Sequence, residues 1–596
     1  MNREKAQRRF IFICLAPAVI LATIFIFIPT INVFRMSLYR MGGITNKKSF
    51  VGFSNFVKLM DDKNFLEAMQ NSILIIVMVM ICTIVLAVLF AALLSRGNFR
   101  GKNFFRIIFY IPNILSIVVI AGIFGAIYNP STGLLNTFLD AIHLSGLKHQ
   151  WMGDPSIVIY SVIFALVWQA IGYYMVMYMS SMAAIPEDLY EAASLDGATE
   201  IQIFFPGDFA VDLEQYPYYI DILYHQYDQL KFPVCSDHDR RRPERKDRSF
   251  PELYVQAGIW SRCIRIRYGD RSCCIPLLVH TGSSCKQDYR QRSLRILERS
   301  EVEICMRKNT EFLHMYFYKI FIYVALIALA ISIIVPVAWV FMASLKKNAE
   351  FIGADVNPWA LPKQFYYQNF VVAFQDARMG DFFLNSFIVT ALALALLLIL
   401  ALPASYVLAR FKFRGKKFFN GAFMAGLFIN VNYIVVPIFL MLSSWNKALH
   451  VDFFLDNRFI LALIYASCNL PFTIYLLSGY FQTLPKGFEE AAYMDGCGYF
   501  KTMVKIMIPM AKPSILTVIM FNFLTFWNEY IIAYTLMDEN GTLAMGLKNL
   551  MAVERTATNY GIMYAGLVIV MIPVLVLYIC VQKRLTEGMT LGGLKG

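Results

Sequence analysis

The sequence is poor in charged residues and has no loop of the kind that holds nucleotide phosphates. Charged residues make up 16% of its 596 positions, whereas soluble domains carry about a quarter. No GxxxxGK[ST] pattern is present, which excludes ATP hydrolysis by a phosphate loop. The apolar stretches contain no Ser-His-Asp or metalloprotease pattern either, and we therefore expect no enzyme.

Long apolar runs take the place of these features. Hydrophobic residues are 58% of the chain, and runs long enough to cross about 30 Å of hydrocarbon recur along it. The predicted fold class is an all-α integral membrane protein with ten clear spans, four in the first half and six in the second. The predicted spans are Phe10–Pro29, Ser72–Leu94, Ile107–Tyr128, Ile157–Met182, Phe317–Met342, Phe383–Leu408, Phe419–Leu442, Phe459–Tyr480, Ile515–Leu536 and Ile562–Cys580.

The net charge of +13 is concentrated beside these spans. Basic residues are enriched on the cytoplasmic side of membrane proteins, so the pattern predicts a cytoplasmic N-terminus and no nucleic-acid partner. Phe10–Pro29 can then serve as a signal anchor. Lys346 and Lys347 fall on the expected outer side and weaken the pattern. The supporting residues are Arg3, Lys5, Arg8, Arg9, Arg96, Arg100, Lys102, Arg106, Arg410, Lys412, Arg414, Lys416, Lys417, Lys583 and Arg584.

Two stretches of the sequence occur twice. FRGKNFF (residues 99–105) matches FRGKKFF (residues 413–419), and each lies in a short basic loop before a predicted span. IPEDLYEAASLDG, from Ile185, matches LPKGFEEAAYMDG, from Leu484, with proline and glycine at the same distances from glutamate. These matches predict two homologous halves, residues 1–205 and 306–596.

The second copy of the longer repeat is a complete motif. It reads Glu490-Ala491-Ala492, three residues, Gly496, nine residues, and an Ile-Met-Ile-Pro run that ends at Pro509. It resembles the EAA loop of permease subunits of ATP-binding-cassette importers, EAA-x3-G-x9-I-x-LP, with Ile for the usual Leu. We predict a short helix, a tight turn at the glycine, which tolerates unusual backbone angles, and a second helix that enters the membrane.

The first copy contains Glu191, Ala192, Ala193 and Gly197 but departs from the motif after Phe205. An ordinary amphipathic loop is the alternative, yet both copies follow the fourth span of their half. A secondary carrier would also show internal repeats, but an ion-driven carrier has no ATPase for such loops to contact.

The resemblance implies the partners and the mode of action. In this family the loop docks in a cleft of a cytoplasmic ATPase dimer and passes the motion of the ATPase to the spans. A partner permease subunit, an extracytoplasmic solute-binding protein and a small-molecule solute complete the bacterial-type inner-membrane importer. The stretches from Asn469 to Gly496 and FWNEYIIAYTL are similar to the sugar-permease version, which implies a carbohydrate. No cofactor and no metal are implied.

Polar residues within the later spans are candidates for the translocation path. Asn528 and Glu529 lie near the end of a predicted span, where a carboxylate usually faces a cavity or partner. Either they line the path or they sit at the membrane interface. Asn432 marks either a cavity-lining break or a packing kink, and the same two interpretations apply to its neighbours and first-half counterparts. Those residues are Asn430, Pro437, Pro112, Asn113 and Trp168.

Residues 206–305 differ from the rest of the chain. They carry 31 charged residues in 100, hold six of the eleven cysteines, contain no convincing span and show no helical or strand period. Three interpretations compete. The cysteines and histidines form a metal site, although their spacings fit no standard pattern; the run Arg240-Arg241-Arg242 binds nucleic acid; or the segment was never selected as protein. The matching alternative function is a membrane-anchored regulator with a metal- or nucleic-acid-binding middle.

A change of reading frame accounts for the third interpretation. One extra base near the codon for Phe205 turns F-R-V-T-L-P into F-P-G-D-F-A, the sequence of residues 205–210. With synonymous codons, the other frame of Val211–Gln229 reads LIWNNIRTTLTFFIISMI, that of Asp239–Asp247 reads TDGGPNGKT, and that of Ser272–Tyr289 reads VAVFLYWFTLAVLANRII. The V-T-L-P completes the first EAA motif, and the apolar strings supply a fifth and a sixth span.

The same frame permits a stop codon that begins within the codon for Leu297, followed by a ribosome-binding sequence over Glu298–Ser300 and then Met306. We therefore expect the chain to be two adjacent permease subunits of a carbohydrate-type importer, joined through about 100 out-of-frame residues. The native assembly is then a heterodimer of six-span subunits.

Overall fold

A computed structural model describes residues 2–41, 48–96, 101–130, 133–182, 185, 195, 263–268, 271–276, 320, 322–352, 357–557 and 559–593. Residues 1–221 and 326–596 belong to one compact unit, and residues 222–325 belong to another.

Within the described residues, the first half is helical apart from one short hairpin. α1 and α2 form a continuous span through a π-helical turn at Thr23–Phe27. Its helices and strands are α1 Asn2–Ala22, α2 Ile28–Ser37, β1 Tyr39–Met41, β2 Lys48–Phe50, α3 Ser54–Asp61, α4 Lys63–Arg96, α5 Lys102–Ile114, α6 Ile117–Ile127, α7 Leu134–Ala141 and α8 Val158–Met182. β1 and β2 pair antiparallel, with Tyr39 opposite Phe50.

The segment 222–325 contains a described hairpin of β3 Cys263–Tyr268 and β4 Arg271–Pro276, paired antiparallel with Cys263 opposite Pro276. The expectation that this region lacks a strand period therefore misses one stretch. CIRIRY alternates apolar and basic residues from Ile264 onward, and alternation of this kind is typical of a strand. The histidines of the proposed metal site and the run Arg240-Arg241-Arg242 lie outside the described residues.

The second half contains the longer series of helices. They are α9 Ile322–Ala343, α10 Gln368–Phe374, α11 Met379–Arg410, α12 Lys416–Leu427, α13 Val431–Leu449, α14 Arg458–Thr483, α15 Gly487–Met494, α16 Tyr499–Met510, α17 Lys512–Asn528, α18 Ile531–Leu536, α19 Leu543–Ala557 and α20 Tyr560–Gly593. α16 includes a π-helical turn at Met503–Met507.

Every predicted span overlaps a long apolar helix or a bent pair of helices, although the predicted span Ile515–Leu536 takes in α17 and the separate helix α18, whereas the bent pair is α16 and α17. Within the described residues, seven helices are long and apolar enough to cross a membrane, or ten if each bent pair counts as one span. The bends are 102° between α5 and α6, 101° between α12 and α13, and 75° between α16 and α17. The all-α membrane fold is confirmed. The polar residues and prolines near Pro112 and Asn432 predict a break or a kink in two of these spans, but not its angle, because mean hydropathy does not depend on the direction of the chain.

An asparagine makes the same two contacts in each half. Asn55 Nδ2 donates to the carbonyl oxygens of Ser37 (2.8 Å) and Tyr39 (3.1 Å), just after the first span. Asn369 Nδ2 donates to the carbonyl oxygens of Ser344 (2.9 Å) and Lys346 (2.8 Å), just after α9. Both side chains thus fasten the loop after a first span to the next short helix.

The basic loops before the bent spans also match. Gly101 and Gly415 each have φ of +91°, a left-handed angle that favours glycine. The lysine that follows each glycine donates its ammonium to a carbonyl of the preceding helix, Lys102 to Ser95 at 3.1 Å and Lys416 to Ala409 at 3.3 Å. The bundle end that carries these loops is called the basic end below.

The first span of each half packs against the other half. Phe10, Leu15 and Phe25 lie in one buried core with side chains of α11, α13 and α14. The Phe10 ring contacts Phe411 at 5.5 Å between centroids. In the other direction, the indole of Trp168 in α8 donates to the Ser332 carbonyl of α9 at 3.1 Å. The two halves therefore share their cores.

Candidate coupling site

The complete EAA motif forms a helix, a turn and a second helix at the basic end. α15 holds Glu490, Ala491 and Ala492, and the motif continues into α16. Gly496 has φ of +75° and joins the two helices, and its N–H donates to the Tyr493 carbonyl at 3.1 Å. A Cβ at Gly496 would meet no atom within 4 Å, so the backbone angle alone explains the glycine.

One face of this element is exposed. Glu490 and Ala491 are exposed, whereas Ala492 is 2% exposed and faces the bundle. Two large apolar side chains later in the same motif are also exposed, Met494 at 89% and Phe500 at 64%. A surface with a small residue and exposed apolar side chains allows a partner to pack closely, as a helix lies in a groove.

The inner face is held by a buried ion pair. The guanidinium of Arg410, at the end of α11, donates to Glu489 Oε2 through Nη2 (2.8 Å) and Nε (3.0 Å). Their side chains are 5% and 13% exposed. Tyr406 OH donates to the other carboxylate oxygen at 2.8 Å, and Arg410 also donates to the Leu484 carbonyl at 2.8 Å. Two-point contacts of this kind fix orientation as well as distance. Below, Arg410, Glu489 and Tyr406 are called the clamp.

The sequence alone does not predict the clamp. Arg410 is one of several basic residues that flank spans, and Glu489 lies next to the motif glutamate. The signal that separates Glu489 from Glu490 is helical: consecutive residues of a helix point about 100° apart, so only one of them faces the bundle.

Pro509 lies near the end of α16, two residues before the 75° bend. Proline provides no backbone N–H, and the preceding π-helical turn already interrupts the regular bonding. The motif proline therefore stands where α16 gives way to α17. Glu191, Ala192, Ala193 and Gly197 lie outside the described residues.

Two of the path candidates lie at the break between α17 and α18. Glu529 accepts the Tyr465 hydroxyl (2.5 Å) and the N–H groups of Ile532 (2.7 Å) and Ala533 (3.0 Å), so it caps α18. Asn528 Nδ2 donates to the Ile114 carbonyl at 2.8 Å, at the bend between α5 and α6. Two broken helices, one from each half, therefore meet at Asn528.

Buried polar atoms without a hydrogen-bond partner lie at the same place. Within the described residues, Asn528 Oδ1 and Trp527 Nε1 are buried and make no hydrogen bond. Asn432 is exposed at the start of α13, after another bend, where its N–H donates to Asn430 Oδ1 at 3.0 Å. The hydrogen bonds of the described residues do not join Asn432 to Asn528 or Glu529.

Comparisons with known proteins give matches on both sides of the charged middle. Residues 83–206 and 401–590, which together exceed half of the chain, match the family described as binding-protein-dependent transport system inner membrane component. The first match ends at residue 206, beside the position where the EAA motif stops. The second match runs through α17–α19 and most of α20.

The individual relatives are also named as permease proteins. The diacetylchitobiose uptake system permease protein NgcG of Streptomyces coelicolor is 34% identical over 269 residues, which are 45% of this chain and 86% of that protein. The probable ABC transporter permease protein YurN of Bacillus subtilis is 40% identical over 195 residues, 33% of this chain and 66% of that protein. The probable ABC transporter permease protein YurM of Bacillus subtilis is 31% identical over 279 residues, 46% of this chain and 87% of that protein.

Proposed function

The chain belongs to the family of binding-protein-dependent transport system inner membrane components, and from this premise we propose how it moves its solute. It is a multi-pass permease component of an ABC importer and not an enzyme. In our proposal, a separate cytoplasmic ATPase dimer docks on the EAA loops, an extracytoplasmic binding protein delivers the solute, and alternating access carries the solute inward. The N-terminus and the basic end are cytoplasmic.

The clamp is the observation that carries this proposal. α15 has an exposed outer face and an inner face joined to α11 by a buried, hydrogen-bonded ion pair. A displacement of α15 by an ATPase is therefore passed to α11, which crosses the bundle and packs on α14, α17 and α19. The exposed Glu490 and Ala491 are the proposed contacts with the ATPase, Gly496 supplies the turn, and Pro509 marks the start of the moving span.

The meeting of two broken helices supports a solute path near Asn528. Polar backbone left free by a break is tolerated at membrane depth only where protein or a water-filled cavity satisfies it, and solute sites in transporters are often built from such breaks. We propose that Asn528 lines the path, that Glu529 shapes it by capping α18, and that Asn432 contributes from the bend before α13.

The proposed solute is a carbohydrate. The relative NgcG is named for diacetylchitobiose uptake, and a path lined by amides suits hydroxyl-rich solutes, because an amide both donates and accepts hydrogen bonds. The matched regions on the two sides of the middle segment are permease sequences, which gives no support to the alternative of a membrane-anchored regulator.

We also propose the division into units 1–205, 206–305 and 306–596, with the middle out of frame. The first family match ends at residue 206, whereas the second continues through the fifth and sixth spans of its half. A first unit cut short after its fourth span accounts for the early end of the first match.

Uptake into intact cells tests this function. Cells that produce the permease, its ATPase and its binding protein are given a panel of labelled sugars, sugar alcohols and glycerol phosphates. We expect ATP-dependent accumulation of at least one sugar, lost when the ATPase is inactivated. Accumulation that depends on an ion gradient but not on the ATPase would contradict the proposal.

A further inference from the structure

One pair of residues breaks the match between the two halves. Asn71-Ser72 in α4 and Asn385-Ser386 in α11 stand at the same distance before FRGKNFF and FRGKKFF, respectively. They are therefore equivalent positions of the repeat. The flanking contacts made by Asn55 and Asn369, and by Lys102 and Lys416, are the same in both halves.

In the second half this pair holds a loop. Asn385 Nδ2 donates to the Gly541 carbonyl at 3.1 Å, and Ser386 Oγ accepts the Leu543 N–H at 2.7 Å. Asn385 and Ser386 are 4% and 2% exposed. The two contacts fasten the connection between α18 and α19 to α11, and the serine hydroxyl satisfies an N–H at the start of α19, where helix donors lack partners.

In the first half the same pair is uncovered. Asn71 and Ser72 are exposed. Ser72 Oγ donates only to the Ala68 carbonyl of its own helix at 2.8 Å, and within the described residues no hydrogen bond is formed by the Asn71 side chain. Lipid does not satisfy this pair, because an exposed asparagine amide gains no hydrogen-bond partner from hydrocarbon.

The exposed face continues along the helix. Thr390 is 2% exposed, whereas its equivalent Ile76 is 61% exposed. Positions 71, 72, 75, 76 and 79 follow the spacing of a single helical face. Each of them is exposed or half-buried, although the equivalent positions 385, 386, 389, 390 and 393 are all buried. A whole strip of α4 thus lacks the cover that its counterpart has.

We infer that this strip of α4 is the docking site for the loop that follows the fifth span of an intact first subunit. The occupant is the polypeptide that the other frame of residues 239–247 encodes, TDGGPNGKT. It occupies the place in its half that Leu536–Leu543 occupies in the second half. Its glycines leave backbone carbonyl and N–H groups accessible, as Asn71 and Ser72 require. The inference depends on the proposed change of reading frame, but it does not depend on the proposed transport activity.

Disulfide trapping tests the inference. One base is deleted between the codons for Phe205 and Gly207, and the restored first subunit is produced together with the second subunit from Met306. Ser72→Cys is combined with single cysteine substitutions along the TDGGPNGKT loop, and cross-links are identified by mass spectrometry after mild oxidation. Ser386→Cys with Leu543→Cys is the matched control, because the equivalent contact is observed.

We expect cross-links from position 72 to the restored loop as efficient as those of the control pair. We also expect reaction of Ser72→Cys with maleimide to be at least tenfold slower in the restored protein than in the 596-residue chain. A control pair that cross-links while position 72 does not, with unchanged maleimide reactivity, means that lipid alone covers the strip and overturns the inference. So does a restored gene that yields no membrane-integrated first subunit.

The readout does not depend on transport. Cross-linking without uptake of any solute would count against the proposed function and support the docking site. Uptake without cross-linking would do the reverse.

Discussion

Asn385 and Ser386 are buried beneath the loop at Gly541–Leu543, whereas Asn71 and Ser72, their equivalents in the first half, are exposed. The neighbouring contacts of Asn55 and Asn369 agree almost atom for atom. The two copies therefore share the contacts made within residues that both halves have. They differ at one pair, whose first-half partner comes from beyond residue 205 in our inference.

A second difference concerns the clamp. In the repeat Arg96 is equivalent to Arg410, but the residue before the first EAA glutamate is Tyr190, whereas the second half has Glu489 there. The buried ion pair of the second half thus has no charged counterpart in the sequence of the first. We therefore expect the EAA segment of the first half to be held less firmly to the preceding spans than the EAA segment of the second half.

The largest expected effect comes from repairing the frame. A permease half needs its fifth and sixth spans to bury polar backbone, and the 31 charges of residues 206–305 are costly at membrane depth. We expect no uptake from the 596-residue chain and uptake from the gene with one base deleted near the codon for Phe205. Resequencing that position decides the matter directly. An active transporter purified with the full-length chain in a single clean frame would refute the division.

Breaking the turn of the coupling site should abolish uptake while leaving the protein in the membrane. Gly496→Pro forces φ to about −65°, whereas Gly496 has φ of +75°. Gly498→Ala is the matched control, because Gly498 has φ of −78° and open space around it. Uptake and solute-stimulated ATPase activity are measured in the restored transporter. Glu490→Ala and Ala491→Arg should also uncouple ATP hydrolysis from uptake. Wild-type activity in all three variants would contradict the assignment of this loop as the ATPase contact.

Removing one partner of the clamp should destabilise the second half. Glu489→Gln leaves Arg410 buried without its counter-ion, and losses of this kind cost about 3–5 kcal/mol. Asp381→Asn is the control, since the Arg378–Asp381 pair is exposed and exposed pairs contribute about 0–1 kcal/mol. Thermal unfolding in detergent, followed by size-exclusion chromatography, compares the two variants. Equal midpoints would mean that the clamp does not stabilise α15.

Asn55 and Asn369 test the similarity of the two halves, whereas the preceding variants test their differences. Asn55→Ala and Asn369→Ala each remove two side-chain hydrogen bonds to carbonyl groups. Each substitution should cost about 1–3 kcal/mol, and the two shifts in unfolding midpoint should be similar in the restored transporter. A large shift for one and none for the other would show that the two halves are less alike than their contacts indicate.

The smallest effect is expected from topology probes. Ser194→Cys and Tyr493→Cys place a thiol in each EAA loop. We expect neither to react with a membrane-impermeant maleimide added to intact cells, and both to react after the cells are opened. Labelling from outside at either position would reverse the proposed orientation.

Much of the fold was predictable because hydropathy and length determine whether a helix can span the membrane. All ten runs overlap helices or bent pairs, although Ile107–Tyr128 is two helices separated by a 102° bend and Ile515–Leu536 extends past the end of α17 into α18. Asparagine and proline near residues 112–113 indicated an irregularity without its angle. The exchange of first spans left no local signal, since the Phe10–Phe411 contact joins residues of different halves.

The candidate site was only partly predictable, because several of its contacts join residues that lie far apart in the sequence. The motif located α15 and its turn, because their geometry depends on neighbouring residues. The pairing of Arg410 with Glu489 depends on how α11 packs against α14, because α14 positions α15, which holds Glu489. The two residues lie 79 positions apart. The contact between Asn528 and Ile114 spans 414 positions, and no periodicity within either half contains it.

The exchanged first spans impose a condition on synthesis. The helix that begins the first half, with Phe10, Leu15 and Phe25 on its buried face, completes a core that otherwise belongs to the second half. Under the proposed division into two subunits, unequal synthesis would leave surplus copies with this part of the core unfilled. Equal synthesis of the two halves would then be a requirement of assembly, and adjacent genes would meet it.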